Sequence, residues 1–301
     1  MSASGEKKLL RQIKYFFLTL FLLPFFLWFA ILPYRFASAL GGKLAECIGS
    51  LLSLRNNVAR KNLKIIDPSL SKDKIEKIIK QAWNNFGRII AELTNLRFRD
   101  TKNIGKLVEL IDNTNLEKAV AADKPIIFVS AHYSNWEMLS LFAKFHLNLP
   151  LQVVYKKPPN ILLYYLIKFL RRFRSSSIEN VNSIKNIISL IKRKGYLGMI
   201  IDQKVIDGIS VPFFGLESQT STLTANLAIS YDCVILPARI YRQNPRHTFK
   251  LEFLPPINYQ RTSNDREDVK NITTLINKEF EKWIKDKPEE WLLFHRRWPN
   301  I

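Results

Sequence analysis

The segment that most constrains the fold is residues 125–129, a short apolar run that ends in a polar, titratable stretch. Its sequence, Pro-Ile-Ile-Phe-Val, is typical of a strand buried in a parallel sheet. The residues that follow place an imidazole, His132, and a carboxylate, Glu137, five positions apart. Apolar side chains then recur at helical spacing as far as Phe145. A strand, a polar turn and a helix in this order predict an α/β fold.

The spacing of His132 and Glu137 favours a turn over a continuous helix. On an ideal helix the two side chains would point about 140° apart, because each residue turns the chain by roughly 100°. We therefore expect the helix to start at Ser134, with the His132 ring folded back toward Glu137. A carboxylate holds an imidazole in one tautomer and makes it a better base, as activation of a hydroxyl requires. Ser134 and Glu137 also fit a capping box, but ligand crevices open at the carboxyl ends of such strands.

Residues 131–137 resemble the His-x4-Glu motif of the lipid A biosynthesis lauroyl/myristoyl acyltransferases, which belong to a lysophospholipid acyltransferase-like superfamily. These bacterial enzymes add a secondary acyl chain to lipid A precursors. The wider glycerolipid acyltransferases carry His-x4-Asp, so Glu137 favours the lipid A branch. Family members often have glycine where this chain has Ser134. The resemblance implies that His132 and Glu137 are catalytic, and Asn135 in the same motif is predicted to bind substrate.

Composition narrows the possible partners. The 46 lysines and arginines exceed the 26 acidic residues and give the 301-residue chain a formal charge of +20 at pH 7. So basic a protein attracts nucleic acid, anionic lipid head groups or an acidic carrier protein. We expect no nucleic-acid partner, because no basic recognition helix or zinc spacing is present. The two cysteines, Cys47 and Cys233, form no CxxC pair, and common metal, nucleotide and serine-hydrolase motifs are missing. We expect neither a metal nor a cofactor.

The N-terminus predicts contact with a membrane. Residues 15–32 are 18 consecutive uncharged and mostly apolar residues, and a helix of that length just covers a hydrocarbon core of roughly 30 Å. We expect a membrane anchor in residues 1–35 and an acyltransferase domain in residues 36–301. The sequence is consistent with a helix that spans the membrane and with one that lies at its surface, because Pro24 interrupts the run and the aromatic residues of the run suit the interface. Cations between Arg55 and Lys64 predict that the domain lies on the cytoplasmic side of the membrane, and the family resemblance implies that this membrane is the bacterial inner membrane.

The remaining segments predict an α/β domain with a central mixed, largely parallel sheet and helices on both faces. Further strands are predicted at residues 151–155, 197–201, 234–240 and 249–254, the last antiparallel to its neighbour. Helices are predicted at residues 67–98, 107–121, 161–170, 184–194, 220–230 and 266–285.

The family resemblance implies further site residues along the chain. In the family, a basic residue, an asparagine and an arginine-containing segment help to hold the donor or the acceptor. The matching positions in this chain are Lys156, Asn160, Arg172 and Arg174, with Arg172 as the first choice among the arginines. An Asp-Gln pair matches Asp202 and Gln203, where Asp202 would orient an arginine or the substrate. The terminal block from Trp291 to Trp298 makes Arg296 and Arg297 candidates for anion contact.

The resemblance also implies the reaction. An acyl group would move from an acyl carrier protein thioester to a hydroxyl of a 3-hydroxyacyl chain on a Kdo-bearing lipid A precursor. His132 would act as the general base, and Glu137 would orient and charge its ring. A rival enzyme would use the same pair of residues on a phospholipid or another glycolipid. A non-enzymatic alternative is a membrane-associated binding protein with a decayed site.

Overall fold

A computed structural model of the protein describes residues 16, 20, 23–97, 101–155, 160–171, 176–179, 183–243 and 248–298. The first helix, α1, is described over residues 23–31, and residues 16 and 20 are also helical. Nine α-helices follow within this described part: α2 (Tyr34–Ser50), α3 (Ser53–Ile66), α4 (Lys72–Arg97), α5 (Thr114–Ala121), α6 (Glu137–Phe145), α7 (Ile161–Arg171), α8 (Ile184–Lys192), α9 (Leu223–Tyr231) and α10 (Asp265–Asp286). Among the described residues, no helix is both long enough and apolar enough to cross a bilayer.

Seven strands form one mixed sheet in the order β1-β9-β8-β2-β5-β3-β4. They are β1 (Val108–Leu110), β2 (Ile126–Ser130), β3 (Gln152–Tyr155), β4 (Ser176–Glu179), β5 (Tyr196–Ile200), β8 (Val234–Gln243) and β9 (Thr248–Phe253). The one antiparallel neighbour pair in this sheet is β8 with β9. A separate hairpin is formed by β6 (Ile209–Phe213) and β7 (Leu216–Thr220). The predicted mixed, largely parallel sheet is confirmed.

Alternate residues of the central strand β2 build cores on opposite sides of the sheet. Ile127 and Val129 join a core with α3, α4, α8, α9 and α10. Ile126 and Phe128 join a second core with α5 and α6. Successive side chains of a strand point to opposite faces, so a strand that is apolar throughout needs helices on both sides. The prediction of helices on both faces is confirmed.

Helices α2 and α4 pack closely enough to fix their relative position. A β-carbon added at Gly87 would lie 2.1 Å from the backbone oxygen of Gly41, a distance that real side chains do not reach. The two backbones therefore approach at a point where only glycine fits. This contact brings Ser38 on α2 beside Glu92 on α4, where Ser38 Oγ donates to Glu92 Oε1 at 2.6 Å.

The largest error of the sequence prediction lies just before β2. The helix predicted at residues 107–121 is instead a three-residue edge strand, β1, followed by α5. Val108 and Leu110 pair with β9, and such short strands carry too little periodicity to distinguish from a helix. The hairpin β6–β7 was not predicted either. The predicted membrane anchor falls largely outside the described residues.

Candidate active site

His132 and Asp202 meet because two neighbouring strands end side by side. Strands β2 and β5 run parallel, and their register pairs Ser130 with Ile200. His132 and Asp202 each follow two residues later, and so they leave the same edge of the sheet at the same level. His132 Nδ1 lies 2.7 Å from Asp202 Oδ1. The pair therefore stands at the carboxyl edge of the sheet, where ligand sites form in this class of fold.

Asp202 is a fully buried carboxylate, and both of its oxygens are bonded. Oδ1 faces His132, and Oδ2 accepts a hydrogen bond from Trp291 Nε1 at 2.8 Å. Burial by itself raises the pKa of this carboxyl, but the imidazole of His132, assisted by the indole N–H, more than offsets burial and holds the pKa well below its usual range. An ionised carboxylate only accepts, so the shared proton lies on Nδ1. Nε2 of the His132 ring, whose side chain is 22% exposed, is left to act as a base.

The structure corrects the predicted partner of the imidazole. Among the described residues, the carboxylate hydrogen-bonded to the His132 ring belongs to Asp202, and not to Glu137. Ser134 has a φ of 49°, in the left-handed region, so the chain turns there and α6 begins only at Glu137. The residue that caps α6 is Trp136, without a side-chain hydrogen bond, so Ser134 is not the cap. Glu137 is buried in the first turn of α6, and its catalytic role stays a prediction.

The segment that follows α10 holds the turn that carries His132. Leu292 N donates to His132 O at 3.0 Å, and Ser134 N donates to Glu290 O at 2.7 Å. The same segment supplies Trp291, whose indole binds Asp202. Sequence reasoning placed Trp291 in the terminal family block but gave it no role. The C-terminal block thus fixes both the backbone of the candidate base and the carboxylate that orients it.

The predicted anion-binding residues fall into separate groups. Arg297 is fully buried, and it donates to Gln219 O at 2.8 Å and to Thr220 Oγ1 at 2.7 Å. Burial lowers the pKa of Arg297 to about 10, and the side chain ties the C-terminal block to β7. Arg296 is exposed, which is the condition that contact with a substrate anion requires. Lys156, Arg172 and Arg174 lie outside the described residues, whereas buried Asn160 accepts from Leu162 N at the start of α7.

Asn135, which was predicted to bind substrate, is buried, and its side chain contacts the protein. Its Nδ2 donates to Glu92 Oε2 at 2.7 Å. The sequence analysis did not single out Glu92. Its position between Ala91 and Leu93, on the apolar face of a predicted helix, is the signal that could have indicated it. A charged residue on such a face is rarely buried unless it is paired.

The arrangement fits acid–base chemistry at a hydroxyl group. A base needs an available lone pair within reach of substrate and a partner that stabilises the protonated ring, and His132 with Asp202 provides both. The ring of Trp136 lies edge-on to the imidazole, with centroids 4.9 Å apart, and adds an apolar wall. Within the described ranges, no three histidine, cysteine or acidic side chains form a metal-binding group.

Comparison with known proteins identifies the family of the chain. Residues 4–300 match the model of the bacterial lipid A biosynthesis acyltransferases. The chain is 24% identical to a lipid A biosynthesis lauroyltransferase of Escherichia coli K12 over 275 residues, covering 90% of this chain and 88% of the relative. It is also 24% identical, over 269 residues, to a lipid A biosynthesis palmitoleoyltransferase of the same strain and to a lipid A biosynthesis acyltransferase of Shigella flexneri, covering 88% of this chain and 86% of each.

These matches confirm the resemblance that the sequence motifs indicated. They extend over nearly the whole chain and include both strands that carry His132 and Asp202. The chain belongs to the bacterial lipid A biosynthesis acyltransferase family and is an acyltransferase of that type.

Proposed function

We propose that this protein transfers a fatty acyl chain from an acyl carrier protein thioester to a hydroxyl of a lipid A precursor, with His132 as the general base. The observation that carries the proposal is the geometry of the His132 ring. Its Nδ1 is held by a buried, ionised carboxylate, which leaves Nε2 to accept a proton.

The reaction needs two proton transfers through the same nitrogen. Nε2 of His132 takes the proton of the acceptor hydroxyl as its oxygen attacks the thioester carbonyl. Asp202 stabilises the imidazolium that forms, because its negative charge lies beside Nδ1. When the tetrahedral intermediate collapses, the C–S bond breaks and the imidazolium returns the proton to the leaving thiolate. An ester and a free carrier thiol result, and no covalent bond to the protein is formed.

Charge and the family support the choice of substrates. The relatives are named for lipid A biosynthesis, and lipid A precursors carry phosphates. A chain with a formal charge of +20 attracts both such an acceptor and an acidic carrier protein. Exposed Arg296 and the cations predicted from the motifs, Lys156, Arg172 and Arg174, are the proposed contacts for these anions.

Lipid analysis tests the substrate class directly. The purified protein, given an acyl carrier protein loaded with acyl chain and a Kdo-bearing lipid A precursor, should add one acyl residue, detected by mass spectrometry. Cells that lack the protein should make lipid A lighter by one acyl chain. Unchanged lipid A with altered phospholipids would instead assign the enzyme to a phospholipid acceptor. No transfer to any lipid would favour a binding protein.

We propose further that the N-terminal part lies on the bacterial inner membrane and that residues 36–301 face the cytoplasm. Most of the large apolar side chains that are exposed in the described part lie between Phe16 and Leu54. Trp28, Ile31 and Phe36 are each at least 60% exposed, and Leu51 and Leu54 reach 81%. An exposed apolar surface of this density indicates a partner, and a lipid bilayer fits an enzyme with a lipid acceptor.

The two cysteines allow a test of this membrane surface. Cys47 is exposed next to the apolar residue Ile48, whereas Cys233 is buried and burial raises the pKa of its thiol to about 12. Because the thiolate is the reactive form, an environment-sensitive maleimide dye should label the folded protein once, at Cys47. Vesicles of phosphatidylethanolamine and phosphatidylglycerol should then shift its emission to the blue. Cys47→Ser is the control that takes no label, and emission unchanged by vesicles would contradict contact at this surface.

A further inference from the structure

Glu92 is a buried carboxylate that receives hydrogen bonds from three different parts of the fold. Oε1 accepts from Ser38 Oγ on α2 at 2.6 Å and from Arg242 Nη1 on β8 at 2.6 Å. Oε2 accepts from Arg242 Nη2 at 3.1 Å and from Asn135 Nδ2 at 2.7 Å. The side chain of Glu92 is completely inaccessible, so no solvent competes for these bonds.

The bond from Asn135 reaches the turn that carries His132. Ser134 lies between His132 and Asn135 in the turn, and it adopts a left-handed backbone with a φ of 49°. A non-glycine residue keeps such a conformation only when its surroundings hold it there. Ser134 N is held by Glu290 O on one side of the turn, and Asn135 Nδ2 is held by Glu92 on the other. Together with the bond from Leu292 N to His132 O, these two contacts hold the turn in its path.

We propose that the Asn135–Glu92 hydrogen bond is a positioning device that sets the His132 ring against the acceptor hydroxyl. Asn135 is thus a positioning residue and not a substrate ligand, and the inference rests on the proposed general-base role of His132. The ion pair with Arg242 and the hydrogen bond from Ser38 Oγ hold the Glu92 carboxylate in place, so that it is a rigid partner for the amide of Asn135. The Glu92 carboxylate also joins the turn to α2, the helix whose outer face carries exposed Phe36.

Glu92 itself is a poor residue for a test, because its removal would leave the guanidinium of Arg242 buried without its carboxylate. Asn135→Ala removes only the contact with the turn. Ser38→Ala is a matched control, because it deletes one bond to the same carboxylate, and Oε1 keeps a donor in Arg242. Each variant loses one bond to Glu92, and Ser38→Ala also loses the bond that Ser38 Oγ accepts from Arg88 Nη1 at 3.0 Å. Of these bonds, only the one from Asn135 leads to the turn that carries His132.

Steady-state kinetics of the two variants test the inference. A displacement of the base by a fraction of an ångström to 1 Å should lower kcat of Asn135→Ala about tenfold to 100-fold. The KM values should stay within about twofold of wild type, because no substrate contact is lost. Ser38→Ala should keep both constants. A raised KM with unchanged kcat would show that Asn135 binds substrate, and an equal loss of kcat in both variants would show a general effect on the fold. Either result overturns the inference.

A second variant covers the case in which Asn135→Ala does not fold. Asn135→Ser keeps a polar side chain in the turn, but that side chain is too short to replace the bond from Asn135 Nδ2 to Glu92 Oε2, so kcat should fall as in Asn135→Ala. A wild-type kcat in a folded Asn135→Ser enzyme would count against the inference. The position of the His132 ring can also be followed without substrate, by the nitrogen resonances of its imidazole, so a wrong proposal for the reaction would not be confused with a wrong proposal for Asn135.

Discussion

Replacing His132 with alanine is expected to lower kcat about 10²- to 10⁴-fold, the range that a positioned general base contributes. The side chain supplies the nitrogen that takes the hydroxyl proton and later returns it to the thiol, and alanine can do neither. KM should change little, because the ring touches the reacting atoms and not the remainder of either substrate. Turnover of a lipid A precursor, measured by mass spectrometry at saturating acyl carrier protein, is the appropriate assay.

His146 is the matched control for this variant. Its exposed ring stacks on Phe142, with centroids 4.5 Å apart, at the far end of α6 from the turn. His146→Ala removes an imidazole of the same size and should retain wild-type kcat. A His132→Ala enzyme that stays folded and keeps comparable activity would contradict the proposed mechanism.

Replacing Asp202 with asparagine should have the second largest effect, again about 10²- to 10⁴-fold in kcat. Two N–H groups, His132 Nδ1 and Trp291 Nε1, point at this carboxylate at 2.7 and 2.8 Å. Asparagine has one oxygen for two donors, so its amide N–H₂ must face one of them. The His132 ring then turns away or moves its proton to Nε2, where it can no longer act as a base.

Glu137→Gln distinguishes the corrected account from the one that the motif suggested. Like Asp202→Asn, this substitution converts a buried carboxylate to an amide, but it does so in the first turn of α6. The account predicts that only Asp202→Asn changes the tautomer of His132. A changed tautomer in Glu137→Gln, with no change in Asp202→Asn, would restore the original pairing.

Asp202→Asn should also alter stability in a pH-dependent way. The pKa of Asp202 is lower in the folded protein than in the unfolded chain, so its charge stabilises the fold above the unfolded pKa. This stabilisation is lost only as pH falls through the folded value. The difference in free energy of unfolding between wild type and variant should therefore be largest at neutral pH and shrink in acid, as urea titrations would measure.

Much of the fold could be predicted because its signals are local. An apolar run such as residues 125–129 and the period of α10 are visible in any short window of sequence. The strand β1 and the hairpin β6–β7 were missed for a physical reason. The first is three residues long, and the second depends on a turn at Phe214 and Gly215 where both residues have positive φ.

The active site could be predicted only in part. His132 could be identified from its motif. Its partner Asp202 follows another strand, and the register of β2 with β5 brings the two residues together. Five-residue spacing pointed to Glu137, because sequence alone shows neighbours along the chain and not neighbours across a sheet. Trp291 and Glu92 were missed as functional supports for the same reason, since each acts through contacts with distant segments.

The tautomer of His132 is the most direct test of the central claim that Asp202 holds its Nδ1. A long-range ¹H–¹⁵N spectrum of protein labelled at its histidine nitrogens reports it, with His132→Ala identifying the resonance. The account predicts a proton on Nδ1 and a bare Nε2 in the wild type, and loss of this pattern in Asp202→Asn. A proton on Nε2 in the wild type, or a pattern unchanged by Asp202→Asn, would contradict it.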